Sequence, residues 1–358
     1  MNLKKLNVGL VSNSTVKNIY INKEDLRRLE SFANFSWVEF NEQSSWDESP
    51  QTSESNIQKL VKFSKNLDAI IICHGSPKID YQIIKECNNL KFIGELEGDR
   101  FAQRIDLDDA FSNNIIVVDT THGSSYPVAE WALGMILIAL RNAGGHFRKL
   151  SRKIEWGSEF QRETEKLFLW NEELSGKTVG MIGAGYIARR LCELLKPFNV
   201  KIYVHDPYIP PEIASSLDFT LTSLDKVLST TDVIVCLAPL TPSTKGLIAK
   251  KQLELIRSGS VFVNVSRGAI VDSNALINRL KKNDIVASLD VFDPEPIPVD
   301  SEIRTLENVF LSPHIAGTTL KSRERFFTEM VDELWRFFEG HQTLHSFNER
   351  TIANRKGL

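Results

Sequence analysis

The run Gly180-Met-Ile-Gly183-Ala-Gly185-Tyr186-Ile187-Ala188 restricts this chain more than any other feature. The apolar residues Thr178–Ile182 read as a buried strand, and ARRLCELLKPF reads as the helix that follows. Between them the chain must turn within a few residues. Gly183 permits the sharp turn, Gly185 presents no side chain to a pyrophosphate, and Ala188 lets the helix pack closely on the strand. The helix N-terminus then offers unpaired N–H groups and partial positive charge to phosphate. A second strand, Val200–His205, leads into Asp206, 21 residues after Gly185. That is close to the spacing of a carboxylate that accepts hydrogen bonds from an adenosine ribose. Such a carboxylate repels a 2′-phosphate, and Pro207-Tyr208 follows it rather than an arginine. The pattern predicts a dinucleotide-binding α/β domain that takes NAD in preference to NADP.

Four further apolar segments, Val233–Leu237, Ser260–Val265, Ile285–Val291 and Val309–Ser312, bring this series to six strands. Six parallel strands with crossover helices make a doubly wound sheet. Upstream, Asn7–Ser12, Asp68–Cys73, Leu90–Gly94 and Asn114–Asp119 alternate with helical candidates near Lys23–Phe32, Ser55–Asn66 and Asp80–Cys87. This rhythm predicts a second α/β domain. A length of 358 residues suits two domains at about 150 residues each. The polar stretch 41–56 reads as a solvated loop. A helix after Ser125, with VAEWALGMILIAL apolar nearly all round, reads as buried on most sides, between domains or at a subunit interface. Phe326, Phe327, Met330, Leu334, Phe337 and Phe338 fall at helical spacing and predict a core helix over about 318–339.

Composition removes several alternatives. A net charge of -3 argues against a general nucleic-acid binder. Cys73, Cys87, Cys192 and Cys236 show no metal-ligand spacing and read as buried thiols, so no metal is expected. The N-terminus lacks an adequate apolar leader, and Trp131–Leu140 is too short to span a bilayer. A soluble, cytoplasmic protein without a membrane partner is the expectation.

Three segments end predicted strands: NVSRGAIVD around Arg267, LDVFDPEP with Asp290 and Glu295, and SPHIAG with His314 and Gly317. Open α/β sheets bind ligands at such strand ends. Together the segments offer a guanidinium, a carboxylate and an imidazole. Hydride exchange with a 2-hydroxy acid uses all three. The guanidinium grips a carboxylate through parallel hydrogen bonds, and the imidazole moves the hydroxyl proton while a carboxylate stabilises its charged form.

With GKTVGMIGAGYIA, HDPY and VCLAPLTPSTKGLI in the same order, Gly176–Gly317 resembles the D-isomer-specific 2-hydroxyacid dehydrogenase family. The resemblance implies that Arg267 binds the substrate carboxylate and carbonyl. It implies that His314 is the general acid/base, that Glu295 is its partner, and that Asp290 holds the nicotinamide carboxamide. Tyr186, Ile187, Ala238, Pro239, Thr244, Val265, His314 and Gly317 join Gly183, Gly185, Asp206 and Asp290 as expected cofactor contacts. It also implies a Rossmann-type domain, 124–318, inserted into a flavodoxin-like α/β substrate domain, 1–123 with 319–358. A homodimer and a small 2-hydroxy or 2-oxo acid substrate complete the expectation. An NAD(H)-sensing corepressor-type protein is the alternative, since such proteins can keep the same three residues.

The first domain is less regular. His74-Gly75-Ser76 resembles the family's substrate loop, and His122 also follows a strand. Where the family has a glycine-rich loop, this chain has Glu95-Leu-Glu97-Gly-Asp-Arg100-Phe-Ala-Gln-Arg104. Arg100 or Arg104 is expected to meet a distal polar or acidic group of the substrate. Aromatics at Trp156, Phe160, Phe168 and Trp170 interrupt an enlarged segment before the dinucleotide signature.

Overall fold

The computed structural model describes residues 5–44, 48–97, 104–152, 171–347 and 352–353. Arg100 and the four aromatics of the enlarged segment lie outside them. The early strands are β1 (Leu6–Ser12), β2 (Ala33–Glu39), β3 (Ala69–Ile72), β4 (Phe92–Glu95) and β5 (Ile116–Asp119). They form a parallel sheet ordered β2-β1-β3-β4-β5, the flavodoxin-like order. Strands β3 and β4 are buried along their whole length, as strands covered on both faces must be. On one face Val8, Leu10 and Ile71 pack with Phe326, Phe327, Met330 and Leu334 of the helix Leu320–Phe338. The aromatic stripe of that helix is therefore core. On the other face Ile70, Ile72 and Val117 pack with Leu60 and Ile83. Strand β2 has no signature in the apolar runs. Its sequence ANFSWVE occupies a sheet edge and is mostly part-exposed, so polar residues interrupt it.

The second sheet holds β6 (Thr178–Ile182), β7 (Lys201–His205), β8 (Thr220–Leu221), β9 (Val233–Cys236), β10 (Val261–Asn264), β11 (Val286–Leu289) and β12 (Val309–Leu311). Its order is β12-β11-β10-β9-β6-β7-β8, with every pair parallel. The seventh strand, β8, is two residues long, too short to register as a hydrophobic pattern. The order reverses at β6, so the crevice outside the carboxyl ends of β6 and β9 is the switch point where such sheets bind ligands.

Packing divides the chain into two compact units, one of Met1–Ser124 with Thr319–Arg355 and one of Ser125–Thr318. Ser124 goes with the first unit, where its hydroxyl donates to the Thr121 carbonyl. The helix Ser125–Leu140 opens the second unit. Ala129, Ala132, Met135, Ile136 and Ala139 are buried in one cluster with Val179, Val204, Val235 and Val263. Thr121–Leu140 is long and apolar enough by length and composition to cross a membrane, a longer stretch than Trp131–Leu140 suggests. Half of its apolar window is buried, and from Ser125 onward it packs as a core helix of the second unit. All four cysteines are free and buried.

Candidate active site

The dinucleotide turn opens the switch point. Gly183 follows β6 with φ at 99°, a left-handed conformation that glycine adopts without penalty. A Cβ there would lie 2.8 Å from the Ala238 amide nitrogen at the end of β9, so the two strand ends approach too closely for a side chain. Gly185 is the N-cap of the helix Tyr186–Leu195, with no side-chain cap. A Cβ at Gly185 would meet nothing within 4 Å, so the space before the helix N-terminus is open. Tyr186 is exposed, Ile187 packs on the core, and Ala188 is buried. Asp206 follows β7 and accepts from the amides of Ala184 and Tyr208, each at 2.8 Å. One bond per oxygen fixes the carboxylate and leaves further lone pairs for hydroxyl donors. Turn, open helix end and fixed carboxylate fit a dinucleotide.

Beyond β9 the expected cofactor residues separate by role. Ala238 is buried, and its carbonyl accepts from the Ser266 hydroxyl. Pro239 is exposed, and its carbonyl accepts from the Thr244 hydroxyl at 2.6 Å. The Thr241 amide donates to the same hydroxyl at 2.7 Å. Thr244 thus staples its own loop. Val265 is buried at the end of β10, and Gly317 is half-buried after β12.

Asp290 is fully buried after β11, and its carboxylate accepts from the Ser312 hydroxyl at 2.5 Å and the amides of Ile315 and Ala316. These donors come from the loop after β12, so Asp290 organises the turn that carries His314. Ser312, whose one sequence signal is its place in SPHIAG, is part of the same device.

His314 sits in that turn with φ at 52°. A residue with a Cβ is uncommon in this left-handed region, and such strain clusters at functional sites. Its amide donates to the carbonyls of Asp290 and Ser312, so the conformation is held from both sides. Its Nδ1 lies 2.5 Å from Glu295 Oε1. Burial pushes the Glu295 carboxyl up. The hydrogen bond and charge of His314, the Phe292 amide and the Arg267 charge outweigh that and hold it below the usual range. An ionised Glu295 takes Nδ1–H, which leaves Nε2 as the nitrogen that can exchange a proton.

Arg267 follows β10 and is half-buried. Its Nη1 donates to the Ser266 carbonyl at 2.6 Å, and Asn264 Nδ2 donates to the Arg267 carbonyl. The bond to Ser266 orients the guanidinium plane. The next residue, Gly268, was not singled out in sequence. A Cβ there would lie 1.9 Å from the Phe292 carbonyl carbon. The turn bearing Arg267 and the loop bearing Glu295 therefore touch backbone to backbone.

In the other unit the expected substrate residues are only partly presented. Gly75 (φ 90°) makes the turn after β3, where a Cβ would lie 2.4 Å from the Phe40 carbonyl. Ser76 is buried, its amide donating to the Cys73 carbonyl and its hydroxyl to the Pro77 carbonyl. Its polar groups are turned inward, against the expected substrate contact. His74 is part-exposed, with Nε2 2.9 Å from Glu97 Oε2. Arg104 is buried and ion-paired with Glu95 at 3.0 Å, which turns its charge toward Glu95. His122 pairs with Glu329 of the terminal helix at 2.7 Å and stacks on His345 at 3.6 Å. Burial, then the charge of His122, pushes His345 down to about 4. This pair joins the terminal helix to the end of β5.

Residues 133–316 match the family described as D-isomer specific 2-hydroxyacid dehydrogenase, NAD binding domain. The chain belongs to this family. It is 32% identical to a D-3-phosphoglycerate dehydrogenase of Methanocaldococcus jannaschii, over 84% of this chain and 55% of the relative. It is 31% identical to a glyoxylate reductase of Thermofilum pendens, over 75% of this chain and 77% of the relative. The chain spans about half the length of the phosphoglycerate dehydrogenases it matches. Its fold is that of the D-mandelate dehydrogenase of Rhodotorula graminis, with a TM-score of 0.78 at 20% identity, covering 97% of this chain and 98% of the other.

Proposed function

We propose that this chain is an NAD-dependent oxidoreductase that interconverts a D-2-hydroxy acid and its 2-oxo acid. The observation that carries the reading is the His314 Nδ1–Glu295 contact at 2.5 Å, in a turn tied down by Asp290, beside Arg267. Nicotinamide, when bound, supplies the hydride to C2 of the oxo acid or takes it from C2 of the hydroxy acid. Arg267 holds the substrate carboxylate and polarises the C2 oxygen. In reduction, His314 Nε2–H gives its proton to that oxygen as the hydride reaches carbon. In oxidation, neutral His314 removes the proton. Glu295 stabilises the imidazolium in both directions.

NAD is preferred over NADP in this reading because Asp206 places a fixed negative charge where a 2′-phosphate would lie. NADH absorbance at 340 nm with a panel of 2-oxo acids tests the proposal. Turnover with NADH, weaker turnover with NADPH, and a narrowed gap in Asp206→Ala are expected. NADH binding without turnover on any acid would favour a sensor of the corepressor type. Homodimerisation belongs to the same reading. It is supported by exposed Phe147 and Leu150 on the helix Ala143–Ser151 of the cofactor unit. Light scattering should give twice the chain mass of 40.6 kDa; a monomer mass would contradict it.

A further inference from the structure

Trp131 stands on the helix Ser125–Leu140, half-buried, with its ring 6.4 Å from that of Phe310 on β12. Core packing accounts for the ring. It does not account for the indole nitrogen, which donates to the Ser312 hydroxyl at 3.3 Å across 181 residues of sequence. An indole N–H can only donate, so Ser312 Oγ is the acceptor. The single hydroxyl hydrogen is then committed to Asp290 Oδ1, 2.5 Å away. The direction of the chain is fixed: indole to hydroxyl to carboxylate. It ends on the turn of His314. Asp290 Oδ1 also takes the Ile315 amide at 3.1 Å, and Oδ2 takes the Ala316 amide at 2.9 Å. All of these residues belong to the second unit.

We propose that Trp131 is a positioning residue for His314, acting through Ser312 and Asp290. The proposal rests on the oxidoreductase reading and deepens it. The Ser312 amide donates to the Leu289 carbonyl and continues the β11–β12 ladder, so its backbone is fixed. Rotation about its Cα–Cβ bond still offers the hydroxyl three staggered directions. The indole on one side and the carboxylate on the other select one of them. That choice matters because His314 holds a left-handed φ of 52°, uncommon for a residue with a Cβ, and its turn relaxes unless it is held. A proton donor must also stand within hydrogen-bond reach of the oxygen it serves. Without the indole N–H the hydroxyl can leave Asp290 Oδ1, and the carboxylate can then shift under the amides of Ile315 and Ala316.

The experiment is a double-mutant cycle of Trp131→Phe and Ser312→Ala, with NADH and whichever of glyoxylate, pyruvate and hydroxypyruvate wild type turns over fastest. Trp131→Phe keeps an aromatic ring against Phe310 and removes the donor. Its kcat should fall about 5-fold, the contribution of one ordinary hydrogen bond. Its KM for the acid should stay within about 2-fold of wild type, because the Arg267 turn is untouched. Ser312→Ala removes both bonds, and its kcat should fall about 100-fold, as for a catalytic group displaced by about 1 Å. The double variant should match Ser312→Ala, since Trp131 then has nothing to act through; two independent packing defects would multiply. Hydrogen exchange gives a readout without turnover. The Ile315 and Ala316 amides should exchange faster in Trp131→Phe, while the central strands of the second sheet keep their protection. An unchanged kcat or unchanged exchange in Trp131→Phe overturns the proposal, as do multiplying effects, a loss confined to KM, or faster exchange throughout the unit. Should Ser312→Ala not fold, kcat and exchange in Trp131→Phe decide alone. A wild type that turns over none of the acids overturns the oxidoreductase reading and this inference together. Turnover with Trp131→Phe equal to wild type overturns this inference alone.

Discussion

Replacing His314 by alanine should lower kcat/KM by about 10²–10⁴-fold, the contribution of a positioned general acid/base, while NADH affinity holds. The imidazole is the group that Glu295, Asp290 and the 312–316 turn are arranged to present. Its removal takes away the proton donor without disturbing Gly183, Gly185 or Asp206. Arg267→Ala should give a comparable loss, with a larger share in KM for the 2-oxo acid. Glu295 limits the pair on the acid side. Its carboxyl is held below the usual range, so the His314–Glu295 pair is present above that range and is lost only as pH falls through the depressed value. A variant that keeps more than about a tenth of wild-type turnover would remove His314 from the proton-transfer role.

The sequence makes the second sheet legible because its central strands are continuous apolar runs and its turn needs glycine for steric reasons. Gly183, Gly185 and Asp206 stand where that logic places them. Other features escape for equally physical reasons. Strand β2 is an edge strand, so its residues are not selected by a uniform environment. Asp290 and Ser312 are 22 residues apart, and only tertiary structure shows that one carboxylate ties down the turn of His314. Charge without burial misleads most. Arg104 looks like a ligand for a distal group of the substrate until its side chain is found enclosed against Glu95.

The other large effect is expected at a residue with no reactive group. Gly268 takes no left-handed φ, so its requirement is space. A methyl group there would stand 1.9 Å from both the carbonyl carbon and the carbonyl oxygen of Phe292. Those atoms are backbone and cannot rotate aside as a side chain would. Gly268→Ala must push the Arg267 turn away from the loop that carries Glu295. Overpacking of this kind costs on the order of 1–3 kcal/mol, and more where the obstacle cannot move. The variant should unfold at a markedly lower temperature. Its kcat/KM should also fall at least about 100-fold, since a displacement of about 1 Å at a catalytic group can cost that much. Gly185→Ala is the contrast. Its added methyl meets nothing within 4 Å, so thermal stability should stay near wild type while NADH binding weakens, because the methyl occupies space the pyrophosphate needs. Equal stability of Gly268→Ala and wild type would mean that the two loops are not in backbone contact in solution. The influence of the Arg267 charge on Glu295 would then need another cause.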